Sequence, residues 1–327
     1  MPLFNFSHSL LSLVYINFIG RSFNMQKNTL KSGLTLSELG LGCMSLGTDE
    51  SDASKIIETA IEAGITYFDT ADIYDKGENE KIVGKILKKY QQNGDIVIGT
   101  KVGNHLKDNG ETFWDPSKKY IKNNVKQSLK RLGIEKLDLY MLHGGTIEDP
   151  LDETISAFDE LKQEGLIKAY GISSIRPNVI RYYLEHSQIE TIMSQFNLID
   201  NRPLDLLDEI NQKGVKLLAR GPVFKGLLTN KAEVTLNHKF KEGIFDYSFD
   251  ELKQTIQSLQ QINPQLTALA FEFLKSHAVL GSIIVGASTP EQLRENIQQY
   301  HSTVTNEQLQ AAMDVVKRLH YAEHWEM

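Results

Sequence analysis

Short apolar runs alternate with amphipathic stretches along most of the chain. Leu39–Met44 predicts a strand, and Asp52–Ala63 then places Ala53, Ile56, Ile57, Ala60 and Ile61 on one helical face. Gly64 suits the left-handed position that closes such a helix. Ile65–Asp69 and Asp95–Lys101 predict the next strands, with a helix over Glu78–Lys89 between them. Asp115-Pro116 reads as a helix start, Asp to cap and Pro at the first helical position; Ile121, Val125, Leu129 and Leu132 follow at near-helical spacing. Further strands are predicted at Leu137–Leu142, Ile167–Ile172, Ile192–Phe196, Val215–Ala219 and Ser282–Val285. The helices between them are Leu151–Glu164 (ended by Gly165), Pro177–Leu184, Leu204–Gln212 and, after a longer polar connection, Gln265–Ser276. Glu291–Gln299 and Asn306–Leu319 close the pattern as helices.

This is a succession of strand–helix units. Strands as apolar as YFDT, IVIGT, LDLYML and SIIVG suit a parallel sheet covered on both faces. With one helix per crossover, the economical closure is an α/β (β/α)8 TIM barrel carrying an additional C-terminal helix. A doubly wound open sheet is the competitor, but no strand here runs into the G-x-G-x-x-G of that fold. The 327 residues fit one such barrel with extras, so residues 25–327 read as a single domain beginning at Met25. Residues 1–24 read as an extension outside the fold, with a targeting or anchoring role as the alternative. Their apolar run, LLSLVYINFI, is about half the roughly 20 residues a bilayer span needs. No Lys or Arg precedes the run, and no small-residue cleavage site follows it.

Charge and cysteine usage narrow the function classes. Lys and Arg total 35 against 42 Asp and Glu, a net charge of −7 that argues against a nucleic-acid partner. The single cysteine, Cys43, excludes an intrachain disulfide or a Cys-based zinc cluster. The nine histidines show no H-E-x-x-H spacing, so no metal is expected. A cytoplasmic protein with no membrane role for residues 25–327 is the expectation.

A barrel places catalytic groups at the C-terminal ends of its strands. The ionisable residues there are Asp69, Lys101 and His143, with Tyr74 five residues beyond Asp69. A phenol with an ordinary pKa near 10 is a poor acid at neutral pH. An adjacent ammonium stabilises the phenolate and lowers that pKa, and a carboxylate can hold the ammonium in place. An imidazole can donate to a carbonyl oxygen and orient it. Together the four could deliver a proton to a carbonyl oxygen as charge develops on it. Singly, each has a plainer reading: Asp69 a turn cap, Tyr74 a packing tyrosine, Lys101 a solvated strand end, His143 a hydrogen-bonded loop histidine.

The stretches that carry these residues, FDTADIYD, GTK and YMLHGG, resemble the aldo-keto reductases, as do GLGCMSLG, YGISS and GASTPEQLREN. The likeness runs from about Met25 to Asn296, with the motifs in family order. Its G-A-S-x-x-x-Q-L-x-E-N ending is similar to the bacterial branch and the potassium-channel beta subunits. The resemblance implies NAD(P)H-dependent reduction of aldehydes or ketones, with Tyr74 as general acid and Asp69, Lys101 and His143 as its tuning partners.

After the last strand, Gly286-Ala287-Ser288-Thr289-Pro290-Glu291-Gln292 runs from a glycine turn into a helix start, where free N–H groups and the helix dipole favour anions. A capping box of Thr289 with Gln292 is the plainer or concurrent role. By resemblance, Gly286, Ser288, Gln292, Glu295 and Asn296 hold the adenosine end, and Asp69, Ser173 and Gln195 the nicotinamide end. Ser288 and Gln292 stand where many relatives place a cation for the 2′-phosphate, so NADPH is the expected donor with NADH possible. Ser174 replaces a common Asn. Arg220 stands where the family usually stacks an aromatic ring on the nicotinamide; a planar guanidinium can stack there, or it can steer phosphates. The backbone around Gly221, Val223 and Lys225 then approaches the pyrophosphate, and Gly42 and Met44 line the floor.

Specificity is expected from loops over the mouth: His105 and Phe113-Trp114 after the third strand, and residues 225–263 after the seventh. Trp114 reads equally as a pocket wall or as a plug over the adjacent helix. Asn237–Glu242 reads as solvated surface. The expected partner is a small carbonyl substrate; the alternative function is an NADPH-binding, redox-sensing interaction protein with little turnover.

Overall fold

The computed structural model describes residues 25–90, 94–107 and 111–326; the expected extension, residues 1–24, lies outside them. The eight predicted strands close into one parallel barrel in chain order: Leu39–Gly42, Tyr67–Asp69, Val97–Val102, Leu137–Leu142, Ile167–Ser173, Thr191–Gln195, Lys216–Arg220 and Leu280–Gly286. Closure joins the eighth strand to the first through the pairs Ile283↔Leu39 to Gly286↔Gly42. The main core lies between strands and outer helices, where Ile56, Ile57, Val83, Val125, Phe158 and Leu269 are buried. A second cluster fills the barrel itself: Tyr67, Val97, Leu139, Met141, Ala169, Met193, Leu218 and Ile284.

Some glycines are there for space. Residues 67 and 99 share the interior face, and a Cβ on Gly99 would sit 2.6 Å from the Tyr67 hydroxyl; one on Gly40 would sit 2.8 Å from the same ring. Small residues on the first and third strands thus admit a fully buried tyrosine beneath Asp69. Gly64 and Gly165 end their helices at φ +82° and +76°, as their positions predict.

The structure departs from the sequence pattern where distant partners intervene. A hairpin, Lys27–Thr29 with Thr35–Ser37, closes the barrel floor by inserting Leu30 and Leu36 into the inner cluster. Asp115-Pro116 precedes the helix by a turn: Ser117 is the N-cap of Lys118–Leu132, and Asp115 instead accepts from the Ser117 N–H at 3.0 Å. The long polar connection contains two helices, Ala232–Lys239 and Phe249–Ile262. The last helix stops at Val315 rather than Leu319 because Asn201 takes up the backbone beyond it. Its Oδ1 accepts from the Leu319 N–H at 2.8 Å and its Nδ2 donates to the Lys317 carbonyl at 2.9 Å. The following tail runs across the mouth of the barrel.

Candidate active site

Asp69 ends the second barrel strand and Lys101 is the penultimate residue of the third, both on the inner face. The Lys101 Nζ donates to Asp69 Oδ2 at 2.6 Å, to the Thr70 carbonyl at 2.7 Å and to the Tyr74 hydroxyl oxygen at 3.5 Å. The Tyr67 hydroxyl donates to the other Asp69 oxygen at 3.3 Å. Tyr74 follows on a tight turn whose next three residues, Asp75, Lys76 and Gly77, all take positive φ (48°, 57° and 88°). Non-glycine residues enter that region rarely, and such strain is concentrated where a side chain must be aimed. The Asp72 N–H donates to the Lys101 carbonyl at 3.2 Å, tying this turn to the third strand.

His143 lies one residue past the fourth strand. Its N–H donates to the Val102 carbonyl at 2.7 Å, and its own carbonyl accepts from Asn104 Nδ2 at 2.9 Å. The imidazole meets the Tyr74 ring edge-on, centroids 6.0 Å apart. The four predicted residues therefore converge at one mouth.

The electrostatics correct one expectation. Burial pushes the Tyr74 phenol above its ordinary pKa, and Lys101 and Arg220 only partly oppose this. The ammonium is closer to Asp69 than to the phenol, so much of its charge is spent on the carboxylate, whose own charge also raises Tyr74. Lys101 itself is held above its ordinary pKa: burial works against the ammonium, but Asp69 and Tyr74 outweigh it. Burial, with help from Lys101 and Arg220, lowers His143 to about 3, so the imidazole is neutral. A neutral ring beside the phenol can orient an oxygen without competing for its proton.

These groups stand in a cleft of about 1610 Å³. That exceeds the range of about 300–1,000 Å³ typical of small-ligand pockets. Every residue singled out in the sequence as a cofactor contact lines it: Gly42, Met44, Asp69, Ser173, Gln195, Arg220, Gly221, Val223, Lys225, Gly286, Ser288, Gln292, Glu295 and Asn296. Arg220 ends the seventh strand and donates to Gln195 Oε1 at 3.4 Å; Gln195 Nε2 in turn donates to Asp200 at 2.7 Å. Phe224, Lys225 and Gly226 take consecutive positive φ values of 43°, 57° and 95°. The turn spends most of its N–H groups internally: Phe224 donates to the Gly221 carbonyl, Gly226 to the Val223 carbonyl and Leu227 to the Phe224 carbonyl, each at 3.0 Å. Thr289 caps the final barrel helix by accepting from the Gln292 N–H at 3.2 Å. The reciprocal bond of a capping box is shifted by one residue, since Gln292 Oε1 accepts from the Ser288 N–H at 2.9 Å.

Trp114 proves to be a plug. Its Nε1 donates to both Asp149 oxygens at 2.9 Å, and its ring packs on Gly103 and on the back of Gly144 without itself lining the cleft. The His105 side chain lies outside the described residues. Lys239, expected on solvated surface, lines the cleft and donates to the Lys225 carbonyl at 2.9 Å. Sequence reasoning missed Arg176, Arg202 and the tail residues Tyr321–His324, which also line it. The Arg202 guanidinium lies 5.2 Å from the Tyr321 ring centroid and donates to Asp200 at 2.7 Å. No local pattern marks these residues as cleft lining, because Arg176 is placed by Gly145 and Arg202 meets the tail at Tyr321, contacts made only on folding.

A model of the Aldo/keto reductase family matches residues 38–317. The uncharacterized oxidoreductase YqkF of Bacillus subtilis (strain 168) is 48% identical over 306 residues, covering 92% of this chain and 99% of that protein. The NADH-specific methylglyoxal reductase of Escherichia coli (strain K12) is 30% identical, covering 81% of this chain and 90% of its own. Among solved structures, the holo form of the aldo-keto reductase AKR11C1 from Bacillus halodurans superimposes with a TM-score of 0.86 at 46% identity, covering 93% of this chain and all of that one.

Proposed function

Since the chain belongs to the aldo/keto reductase family of oxidoreductases, we propose that it reduces a small aldehyde or ketone to an alcohol, with Tyr74 as the general acid and NADPH or NADH as the hydride donor. One observation carries this reading: within a cleft large enough for a dinucleotide and a substrate, Lys101 bridges Asp69 at 2.6 Å and the Tyr74 hydroxyl at 3.5 Å.

The residues fit the cofactor. Gly221, Val223 and Lys225, on the cleft lining after the seventh strand, would lie beside the pyrophosphate. Ser173, Gln195 and Arg220 would hold the nicotinamide end, and Gly286, Ser288, Gln292, Glu295 and Asn296 the adenosine end. Gly42 and Met44 form the floor. When bound, the reduced nicotinamide supplies a hydride to the carbonyl carbon.

The protein's own part is the proton. The Tyr74 O–H donates to the carbonyl oxygen, and the neutral His143 imidazole gives that oxygen a second, orienting partner. As charge develops on the oxygen, Tyr74 yields its proton and the resulting phenolate is stabilised by Lys101. Asp69 keeps the ammonium aimed. A raised phenol pKa suits this order of events, because the proton stays on Tyr74 until an alkoxide demands it.

Cofactor oxidation followed with NADPH and with NADH over a panel of aldehydes, methylglyoxal included, tests the reading. Turnover is expected with at least one donor. Tyr74→Phe should lower kcat at least about 100-fold and leave cofactor affinity nearly unchanged. A Tyr74→Phe enzyme of wild-type rate would identify another acid, and tight cofactor binding without turnover on any carbonyl would favour a sensing role.

A further inference from the structure

The cations of the cleft divide between two sides of the mouth. Lys101 is committed to Asp69 and Arg202 to Asp200. Arg220, Lys225, Lys231 and Lys239 stand at the seventh strand and the segment after it, where the proposed cofactor phosphates lie. Arg176 stands apart, just past the fifth strand, and it has no carboxylate within ion-pairing distance among the described residues. Its guanidinium is half-buried, donates to the Gly145 carbonyl and leaves its remaining donors on the cleft wall. Glu148, whose carboxyl pKa Arg176 helps to lower, is exposed, and Asp149, beside Gly145, is taken up by the Trp114 Nε1 and the Thr146 N–H.

Resting on the carbonyl-reduction reading, we infer that Arg176 is a specificity residue that binds a carboxylate or phosphate at the far end of the substrate. Gly145 is two residues beyond His143, so their Cα atoms are at most about 7.6 Å apart. A guanidinium anchored on the Gly145 carbonyl therefore lies a short carbon chain away from an oxygen held by His143 and Tyr74. Guanidinium groups suit this task because their fork of donors matches carboxylate and phosphate geometry. Exposed Ile175, next to Arg176 on the cleft lining, would flank the apolar stem.

The test compares the full-length enzyme on succinic semialdehyde and its methyl ester, and on glyceraldehyde 3-phosphate and glyceraldehyde, which separates the two anions. For at least one pair, kcat/KM should favour the charged member tenfold or more, mainly through KM, with the preference eroding as salt rises. Arg176→Met should raise KM for that charged substrate at least tenfold more than KM for its neutral partner, and Arg176→Lys should restore part of the difference. Equal kcat/KM for both pairs in the wild type would overturn the inference. So would a proportionate loss on charged and neutral substrates in Arg176→Met, which would mark the arginine as mere support for the Gly145 carbonyl. If no carbonyl is reduced at all, the carbonyl-reduction reading fails. The anion site then stands on whether succinate raises the melting temperature of NADP-saturated protein above the effect of succinamide, in wild type and not in Arg176→Met.

Discussion

Replacing Lys101 by Met removes a charge from a place water does not reach. The Lys101 side chain is 1% exposed and that of Asp69 6%, so the carboxylate left behind has no solvent to turn to. Three acceptors lose their donor: Asp69 Oδ2, the Thr70 carbonyl and the Tyr74 oxygen. Breaking a buried pair by deleting one partner costs about 3–5 kcal/mol. That is a large share of the roughly 5–15 kcal/mol of a typical domain. The pH dependence supplies a second signature. Burial already raises Asp69 above the usual carboxylate pKa, with Lys101 opposing it. Without the ammonium the folded-state pKa climbs further above the unfolded one, so the folded state binds the proton more tightly. The deficit of Lys101→Met should therefore shrink as pH falls from 7 toward 5. The double variant Asp69→Asn/Lys101→Met leaves no buried charge and should be more stable than Lys101→Met alone, with a coupling of about 2 kcal/mol or more. Reversible urea unfolding of the four proteins measures all of this. A Lys101→Met cost under about 1 kcal/mol, or strictly additive single costs, would refute the picture of a desolvated pair.

Two further outcomes follow from single positions. His143 is held near 3 when folded, against about 6.5 unfolded, so its contribution is whole above pH 6.5 and is lost as pH falls toward 3. The stability gap between wild type and His143→Asn should move against the wild type by about 2 kcal/mol between pH 7 and pH 5; an unchanged gap in urea titrations would contradict the neutral, buried imidazole. Gly84 lies inside a helix, where alanine usually gains up to about 1 kcal/mol. Here an added Cβ would stand 2.1 Å from the Leu132 carbonyl oxygen, so Gly84→Ala should instead lose about 2–3 kcal/mol. A thermal melt at or above the wild-type midpoint would show that the neighbouring helix yields.

The barrel was legible because each strand carries its own signal. Leu137–Leu142 and Ile167–Ser173 are largely apolar and buried apart from Lys168 and the strand-end Ser173, with Asp138 the one buried charge, a pattern that suits a sheet covered on both faces. Asp69, Lys101 and His143 were legible for the same reason, since a strand end in a parallel barrel has one place to point. Elements with partners distant in sequence were not. The floor hairpin reads as polar chain until Leu30 and Leu36 find the inner core, and the helix at Ala232–Lys239 has almost no amphipathic pattern to announce it. The tail past Val315 carries helix-compatible residues that Asn201 and Asp205 draw out into extended chain.

The sequence by itself determined the order of the strands, the closure they imply, and which ionisable side chains stand at the mouth, because these depend on residue type and on spacing along the chain. Tertiary structure alone decided how those side chains behave. It made Tyr74 a reluctant acid, kept His143 neutral, spent the Lys101 charge on Asp69 and left Arg176 without a carboxylate. Protonation and pairing depend on burial and on charges brought near from elsewhere in the chain, and those distances exist only once the chain has folded.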